Sequence, residues 1–358
     1  MNTWPDHRIQ DLLGLEHPII QAPMAGAAGI ELAIAVARAG GLGSLPAALI
    51  DAEQLQRQVG QFRAATNAPL NLNFFCHSPP APDPQREARW KERLLPYYDA
   101  LGIDPSLPVV AANRTPFDAT ACALVEALRP EVVSFHFGLP EAGLLARVRA
   151  SGARVLSSAT TIDEARWLEA GGCDAIIAMG SEAGGHRGMF LSDDVATQVG
   201  SFALVPQVVD AVGVPVIAAG GIADARGIVA AFALGAAAVQ IGTAYLLTPE
   251  ARISAAHRDA LRRSSGSDTA LTNLFTGRPA RGLVNRLMRE LGPMSELAPA
   301  FPTAAAALAA LRAHDASAGT ADFSNQWSGQ GARLLREVPA EALTRELATQ
   351  ALARFGTA

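Results

Sequence analysis

The chain has 358 residues, 49% of them hydrophobic, and carries a formal net charge of −5. This apolar content is sufficient for a large core, and the negative charge argues against a nucleic-acid-binding surface, which is usually basic. No stretch has the roughly 18 uninterrupted apolar residues that a membrane span requires, and the first residues lack the charged-then-apolar plan of a signal peptide. The three cysteines are far apart and form no metal-ligand pattern. We therefore expect a cytoplasmic protein with free thiols, no metal site, and no nucleic-acid or membrane partner.

Eight short apolar runs recur along the chain, each followed by a glycine-rich or polar loop and then an amphipathic segment. The runs comprise residues 18–23, 41–45, 70–75, 132–137, 154–159, 175–178, 214–219 and 237–242. Nearly continuous apolar character is typical of parallel strands that are buried on both faces. Eight such units alternating with helices predict an α/β protein with a (β/α)8 TIM barrel, and an open doubly wound sheet is the alternative.

The segments between the runs carry helix boundaries of their own. Residues 30–38 have apolar positions at helical spacing, and the glycine at position 40 can end that helix. A second example covers residues 161–169. Thr161 can cap this helix, and Glu164 lies three residues later, as in a capping box. Residues 224–234 repeat this plan. These segments are therefore predicted to be the helices that surround the barrel.

Two segments lie outside the regular alternation. Residues from about 78 to 108 interrupt the third unit with a proline-rich start and a charged helical stretch. An insertion after the carboxyl end of a barrel strand lies on the face where barrel active sites form. We expect a barrel over residues 1–250 and a mostly helical segment over residues 251–358 that packs on the barrel mouth.

The candidate site residues follow the predicted strands, where barrels place their chemistry. Residues 180–188 form a glycine-rich loop that contains His186, and His136 lies in the fourth run. The glycines after the seventh and eighth runs can bring backbone N–H groups close to a phosphate. Alternatively, these loops are ordinary tight turns and His136 is a core histidine. Four other histidines are interpreted as structural: His7, His17, His257 and His314.

Several motifs in this order resemble the nitronate monooxygenases, formerly called 2-nitropropane dioxygenases, which are FMN-binding barrels. The motifs are IIQAPM (19–24), AGGLG (39–43), SFHFG (134–138), GSEAGGHRG (180–188), AAGGI (218–222), QIGT (240–243), GRPAR (277–281) and WSGQ (327–330). The segment NFFCH at residues 73–77, with the insertion that contains Trp90, is similar to the class I members. One departure is Met179, where the family often has a glutamine that can donate a hydrogen bond.

The resemblance implies noncovalently bound FMN. Its phosphate would rest on Gly221, Gly242 and Thr243, and Asn73 would donate to the polar edge of the ring system. Residues 21–24 (Gln21, Ala22, Pro23 and Met24) would run beneath that ring system. The remaining implied cofactor contacts are Met179, Gly180, Gly184, Gly185, Gly220, Gln240 and Ile241.

The resemblance also implies oxidation of anionic alkyl nitronates, such as propionate 3-nitronate, by O2 to a carbonyl product and nitrite. His186 and His136 are the candidates for holding the anion. For a neutral nitroalkane, His186 is the first choice as base and His136 the second. We expect a monomer or a homodimer. The alternative within the superfamily is an NAD(P)H-dependent FMN reductase of an enoyl-acyl-carrier-protein or a quinone. A barrel that binds a sugar phosphate is less favoured, because lysine is scarce.

Overall fold

The computed structural model describes residues 3–106 and 114–356. Eight parallel strands form one sheet in the order β1-β9-β8-β6-β5-β4-β3-β2. A parallel bridge between Ile20 and Leu42 joins the two end strands, so the sheet closes into a barrel. The strands are β1 (Ile19–Gln21), β2 (Gly43–Pro46), β3 (Leu70–Phe75), β4 (Val132–His136), β5 (Arg154–Ala159), β6 (Ala175–Met179), β8 (Val216–Ala219) and β9 (Ala238–Ile241). The predicted (β/α)8 barrel is confirmed.

The barrel interior is filled with apolar side chains and is closed at its amino end. Ile20, Ile177 and Ile217 pack inside the barrel in one cluster with Ile9 and Leu13. Ile9 and Leu13 belong to α1 (Arg8–Leu13), a short helix that precedes the first strand. Because side chains alternate between the two faces of a strand, the neighbouring positions pack outward against the helices. Only the carboxyl end of the barrel is left for a site.

The surrounding helices begin and end close to the predicted positions. Barrel helices are α2 (Ile30–Arg38), α3 (Ala52–Ala65), α5 (Ala119–Leu128), α6 (Ala142–Ala150), α7 (Ile162–Ala170), α8 (Ser201–Ala211) and α9 (Ala225–Ala233). Thr161 caps α7 as predicted, accepting from the Glu164 amide. The Glu164 carboxylate does not complete the capping box, because it accepts from the amides of Thr160 at 2.7 Å and Phe190 at 2.6 Å.

The insertion after β3 contains helix α4 (Pro84–Ala100), which Asp83 caps. Trp90 donates from its indole nitrogen to the Ala304 carbonyl at 3.2 Å. The Tyr98 hydroxyl donates to the Ala307 carbonyl at 2.7 Å. The insertion therefore packs against the C-terminal segment, and its predicted end at residue 108 lies outside the described residues.

The C-terminal segment differs from the prediction in two ways. It contains a hairpin, β10 (Thr269–Thr272) and β11 (Ala280–Leu283), which pairs with the short strand β7 (Gly185–His186) in a second sheet. Its last helix, α13 (Ala340–Phe355), packs between α2 and α9 in the outer ring of the barrel and not on the mouth. The other elements are α10 (Ala255–Arg263), α11 (Arg286–Leu291), α12 (Ala309–Ala318) and the 3-10 turns Ala47–Leu49, Val195–Thr197, Thr243–Tyr245, Thr303–Leu308 and Gln330–Leu334. Among the described residues, no helix combines the length and apolar composition that a membrane span needs.

Candidate active site

A cavity of about 930 Å³ lies at the carboxyl end of the barrel, between the strand ends and the C-terminal segment. Most residues that the sequence predicted for the site line this cavity. They are Ala22, Pro23, Met24, Asn73, His136, Met179, Gly184, Gly185, His186, Gly220, Gly221, Gln240, Gly242 and Thr243. The fold therefore brings together residues from six of the eight strand ends.

Three predicted cofactor-binding residues lie outside the cavity wall: Gln21, Gly180 and Ile241. Gln21 is fully buried, and its Oε1 accepts from the Ser44 amide at 2.9 Å. Ile241 packs in the outer core between strands and helices. Both have side chains on the outer face of their strands, where the alternation places them. Gly180 lies behind the wall, where an added Cβ would be 2.0 Å from the Ser201 hydroxyl oxygen.

His136 makes two hydrogen bonds that use both ring nitrogens. Its Nε2 lies 3.2 Å from the main-chain carbonyl oxygen of His186, which can only accept. Its Nδ1 lies 3.2 Å from the Ser158 hydroxyl, which donates to it. Burial lowers the pKa of His136 to about 4, so the ring is neutral at physiological pH. This arrangement makes His136 a support for the backbone at His186.

His186 lies on β7, held by pairing with β11. Its ring is flanked by the rings of Phe301 and Trp327, each with a centroid separation of 5.4 Å. Its Nε2 lies 2.9 Å from Thr276 Oγ1, which is the one side-chain hydrogen bond of His186 among the described residues. Burial, and next the positive charge of Arg114, hold the pKa of His186 well below its ordinary value.

Three phenylalanines form an aromatic cluster beside the two histidines: Phe75, Phe137 and Phe301. Phe135 packs outward in the core, as expected for its place in β4. Phe137 does not follow this alternation, because its φ of 71° turns the chain at the end of the strand. Its ring contacts Phe75 at 5.1 Å, and the Arg278 guanidinium lies 4.2 Å from its centroid.

Backbone amides in the loops after the strands line part of the cavity, which we call the cradle, and the glycines there leave it free of side chains. Gly220 and Gly221 have φ values of 116° and 73°, which glycine adopts without strain. The amides of Gly221, Gly242 and Thr243 donate to no other residue in the described part of the chain. Free amides beside glycines are the arrangement that binds a phosphate. These amides are the ones at which the sequence predicted a phosphate, and that position stays a prediction.

Two amide side chains present acceptor atoms in the same cavity. Gln240 Oε1 is buried and has no hydrogen-bond partner among the described residues. Asn73 donates from Nδ2 to the Ser134 carbonyl at 3.2 Å and to the Ser134 hydroxyl at 3.0 Å. Its free atom toward the cavity is therefore an oxygen, and the prediction that Asn73 donates to the ligand does not fit this geometry. Both oxygens suit the N–H groups of a flavin ring system.

The sequence missed several cavity residues that come from outside the strand ends. Arg114 follows the insertion, Arg312 lies on α12, and Trp327 follows the hairpin. His257 was interpreted as structural, yet it also lines the cavity. The contribution of α12 could have been found in the sequence. Its cavity-lining residues, at positions 305, 309, 312, 313 and 316, have the spacing of one helical face. No local pattern marked Arg114.

The barrel, its glycine-lined cavity with free amides at the strand ends, and a half-buried histidine in the same wall define the class as a (β/α)8 enzyme with one large ligand cavity. Residues 6–350 match the sequence profile of the nitronate monooxygenase family. The chain belongs to this family, whose members are flavin-dependent oxidoreductases that oxidise nitronates.

Similarity to individual proteins extends over the whole chain. A nitronate monooxygenase from Pseudomonas aeruginosa is 44% identical over 344 residues, which are 95% of this chain and 97% of the relative. One from Paraburkholderia phytofirmans is 42% identical, covering 94% of this chain and 92% of the relative. A crystal structure of nitroalkane oxidase from Streptomyces ansochromogenes has a TM-score of 0.87 at 38% identity and covers 98% of this chain and 99% of its own. FabK from Thermotoga maritima has a TM-score of 0.75 at 28% identity, covering 99% and 98%.

Proposed function

We propose that this chain binds FMN and oxidises anionic alkyl nitronates, such as propionate 3-nitronate, with O2 to a carbonyl product and nitrite. The observation that carries the proposal is the pair Arg114 and Arg312, which both line the cavity, where the positive charge of Arg114 also acts on His186. Neither guanidinium forms an ion pair with a carboxylate in residues 3–106 or 114–356. Two arginines that line a cavity and form no ion pair are suited to an anionic substrate.

The cofactor would be held mainly by backbone. The amides of Gly221, Gly242 and Thr243 would bind the phosphate, and the oxygens of Asn73 and Gln240 would accept from the flavin ring. When bound, the flavin supplies the electron acceptor for the nitronate. Met179 lines the cavity at a position where the family often has glutamine, and its thioether adds no donor there.

Arg114 is close to the reaction centre. Its Cζ lies 5.4 Å from the centroid of the Phe301 ring, and the centroid of the His186 ring is also 5.4 Å from that ring. Burial lowers the pKa of Arg114, and the positive charge of Arg312 lowers it further. Asp315 attracts Arg312, but its carboxylate already accepts hydrogen bonds from Phe323 N at 2.7 Å and other donors. A bound anion would relieve the repulsion between the two arginines.

In the proposed reaction, the two arginines would bind the anionic substrate and His186 would act as the base. The arginines hold a nitronate, and in propionate 3-nitronate they can also reach the carboxylate at the other end. His186 is kept neutral and can take the α-proton of a neutral nitroalkane. His136 supports the backbone of His186 and does not act on substrate. The cytoplasmic location, the monomeric or homodimeric state and the domain boundary at residue 250 stay predictions.

The test is the anaerobic visible spectrum of the FMN-loaded protein after addition of propionate 3-nitronate, with NADH and NADPH in separate cuvettes. We expect rapid loss of the oxidised flavin absorbance with the nitronate and none with either nicotinamide. Readmission of O2 should restore the absorbance and release nitrite. Bleaching by a nicotinamide alone would make the protein a reductase. A protein that cannot take up FMN contradicts both functions.

A further inference from the structure

The His186 ring is held by one side chain from the second sheet. Thr276 lies in the loop that joins β10 and β11, and only 3% of its surface is exposed. Its Oγ1 is 2.9 Å from His186 Nε2. The same Oγ1 lies 3.5 Å from the main-chain carbonyl oxygen of Arg278. The threonine hydroxyl therefore stands between an imidazole nitrogen and a carbonyl group.

The number of protons that these groups can donate determines which tautomer of the His186 imidazole is present. A threonine hydroxyl has one proton to donate, and a carbonyl oxygen can only accept. When Thr276 donates to the Arg278 carbonyl, its own lone pair must accept from His186. His186 then carries its proton on Nε2, and the lone pair is on Nδ1. His186 lines the cavity, and its one side-chain hydrogen bond among the described residues is made by Nε2, so Nδ1 is free to act there.

The loop that presents Thr276 has little freedom to move. Gly277 has a φ of 88°, and its amide donates to the Asn273 carbonyl at 2.8 Å. A Cβ on Gly277 would lie 2.0 Å from the Pro299 carbonyl oxygen. The Asn273 side chain bonds both the amide and the carbonyl of Ser295, at 2.9 Å each. These constraints fix the Thr276 hydroxyl beside Nε2 of the imidazole.

The loop is also tied directly to the strand that carries the histidine. The Arg187 amide donates to the Pro279 carbonyl at 2.8 Å, and Ala280 pairs with His186. The GRPAR motif at residues 277–281 thus has a physical role, because it connects the threonine loop to β7. The hairpin that sequence reasoning missed is the element that orients the base.

We propose that Thr276 is a positioning residue that fixes the Nε2-protonated form of His186 and so presents Nδ1 as a base to the substrate α-carbon. This inference rests on the proposed function and names the group that lets the site accept neutral nitroalkanes. In the step, the α-carbon–hydrogen bond breaks and its electron pair stays on the substrate as the nitronate. The proton forms a new N–H bond at Nδ1, and the imidazolium later releases it to water. The nitronate charge is held by Arg114.

Thr276→Val and Thr276→Ser test the inference, because valine keeps the shape and removes the hydroxyl while serine restores it. In protein labelled with ¹⁵N-histidine, long-range ¹H–¹⁵N correlation shows which imidazole nitrogen carries the proton. We assign the His186 signals by their loss in His186→Asn. Wild type and Thr276→Ser should have the proton on Nε2. Thr276→Val should move it to Nδ1, because a buried Nε2–H would lose its acceptor.

The kinetic test compares nitroethane with its pre-formed nitronate under the same conditions. Thr276→Val should lower kcat/KM for nitroethane by about 10²-fold, the scale of lost general-base catalysis. It should change kcat/KM for the nitronate by no more than about threefold, because that substrate needs no proton removal. Thr276→Ser should retain both activities.

The outcomes separate this inference from the proposed function. Wild-type protein that oxidises neither substrate contradicts the proposed function. Wild type that oxidises the nitronate but not nitroethane overturns the base role of Nδ1 and leaves nitronate oxidation in place. An unchanged proton position in Thr276→Val, or an equal loss with both substrates, also overturns the inference.

Discussion

His136 donates from Nε2 to the main-chain carbonyl of His186 at a distance of 3.2 Å. The two histidines are therefore coupled through the backbone of one and the side chain of the other. His136 has both ring nitrogens engaged, whereas His186 has Nδ1 free of any described partner. This asymmetry assigns them different roles, although both lie in the same buried pocket and both have lowered pKa values.

Replacement of each histidine should therefore have a different effect. His186→Asn should retain FMN and lower kcat/KM for nitroethane by about 10²-fold or more, because the proposed base is removed. His136→Gln should have a smaller effect, since the glutamine amide can still donate to the His186 carbonyl. The measurements are flavin content after gel filtration and initial rates with nitroethane. Unchanged kinetics in His186→Asn would remove this residue from the mechanism.

Arg312→Met should weaken binding of a substrate with a second negative charge. A hydrogen bond to a charged group contributes about 1.5–3 kcal/mol, so the KM for propionate 3-nitronate should rise by roughly 10- to 100-fold. The KM for ethyl nitronate should rise less, because that substrate has no carboxylate. Arg57→Met is the control, since Arg57 is an exposed partner of Glu53 on α3. An equal rise in KM with both nitronates would exclude a carboxylate contact at Arg312.

The barrel was predictable from the sequence because each strand is a short apolar run with its own glycine loop and helix. The residue-level errors have a common origin. Gln21 and Ile241 belong to the correct motifs, but each lies one position from an inward-facing residue and so points to the outer face. The period of two along a strand would have separated wall residues from outer ones. Motif membership alone does not specify which face a side chain takes.

Other parts of the site could not be predicted from local patterns. Thr276 reaches His186 across 90 positions of sequence, through a hairpin of two short strands with the sequences TALT and ARGL. The first has few strongly apolar residues and the second contains glycine and arginine, so neither signals a strand alone. They pair with each other over four positions, and β11 also pairs with β7, which lies about 95 residues earlier in the chain. Arg114 likewise acquires its role only when Phe301 is folded beside it.

Gly242→Ala should weaken FMN binding with little effect on the fold. Gly242 has a φ of −114°, which any residue can adopt, so its replacement introduces no backbone strain. The new Cβ would lie 3.3 Å from the Ala22 Cβ in the wall of the cradle. We expect the FMN dissociation constant, measured by quenching of flavin fluorescence, to rise about tenfold, equivalent to about 1.4 kcal/mol.

Gly60→Ala is the matched control for the Gly242 substitution. Gly60 lies inside α3, and an added Cβ there meets nothing within 4 Å. Alanine should stabilise that helix by up to about 1 kcal/mol and leave FMN affinity unchanged. If both substitutions leave the affinity unchanged, Gly242 does not contact the cofactor.

The buried histidine His257 should make the protein less stable in mild acid. Burial lowers the pKa of His257 to about 4 from an ordinary value of 6.5. Between these values the unfolded chain binds more protons than the folded one, so the free energy of unfolding rises with pH. The stabilising contribution is complete above pH 6.5 and is lost as pH falls toward 4. Each pKa unit corresponds to about 1.4 kcal/mol.

Urea unfolding of the flavin-free protein at pH 7.5 and pH 5 measures this effect. Wild type should lose stability between the two pH values, and His257→Gln should lose about 1–2 kcal/mol less, because one histidine no longer titrates differently in the two states. His7→Gln is the control, since the His7 side chain is exposed. A pH dependence in His257→Gln equal to that of wild type would show that His257 is already protonated in the folded protein at pH 5.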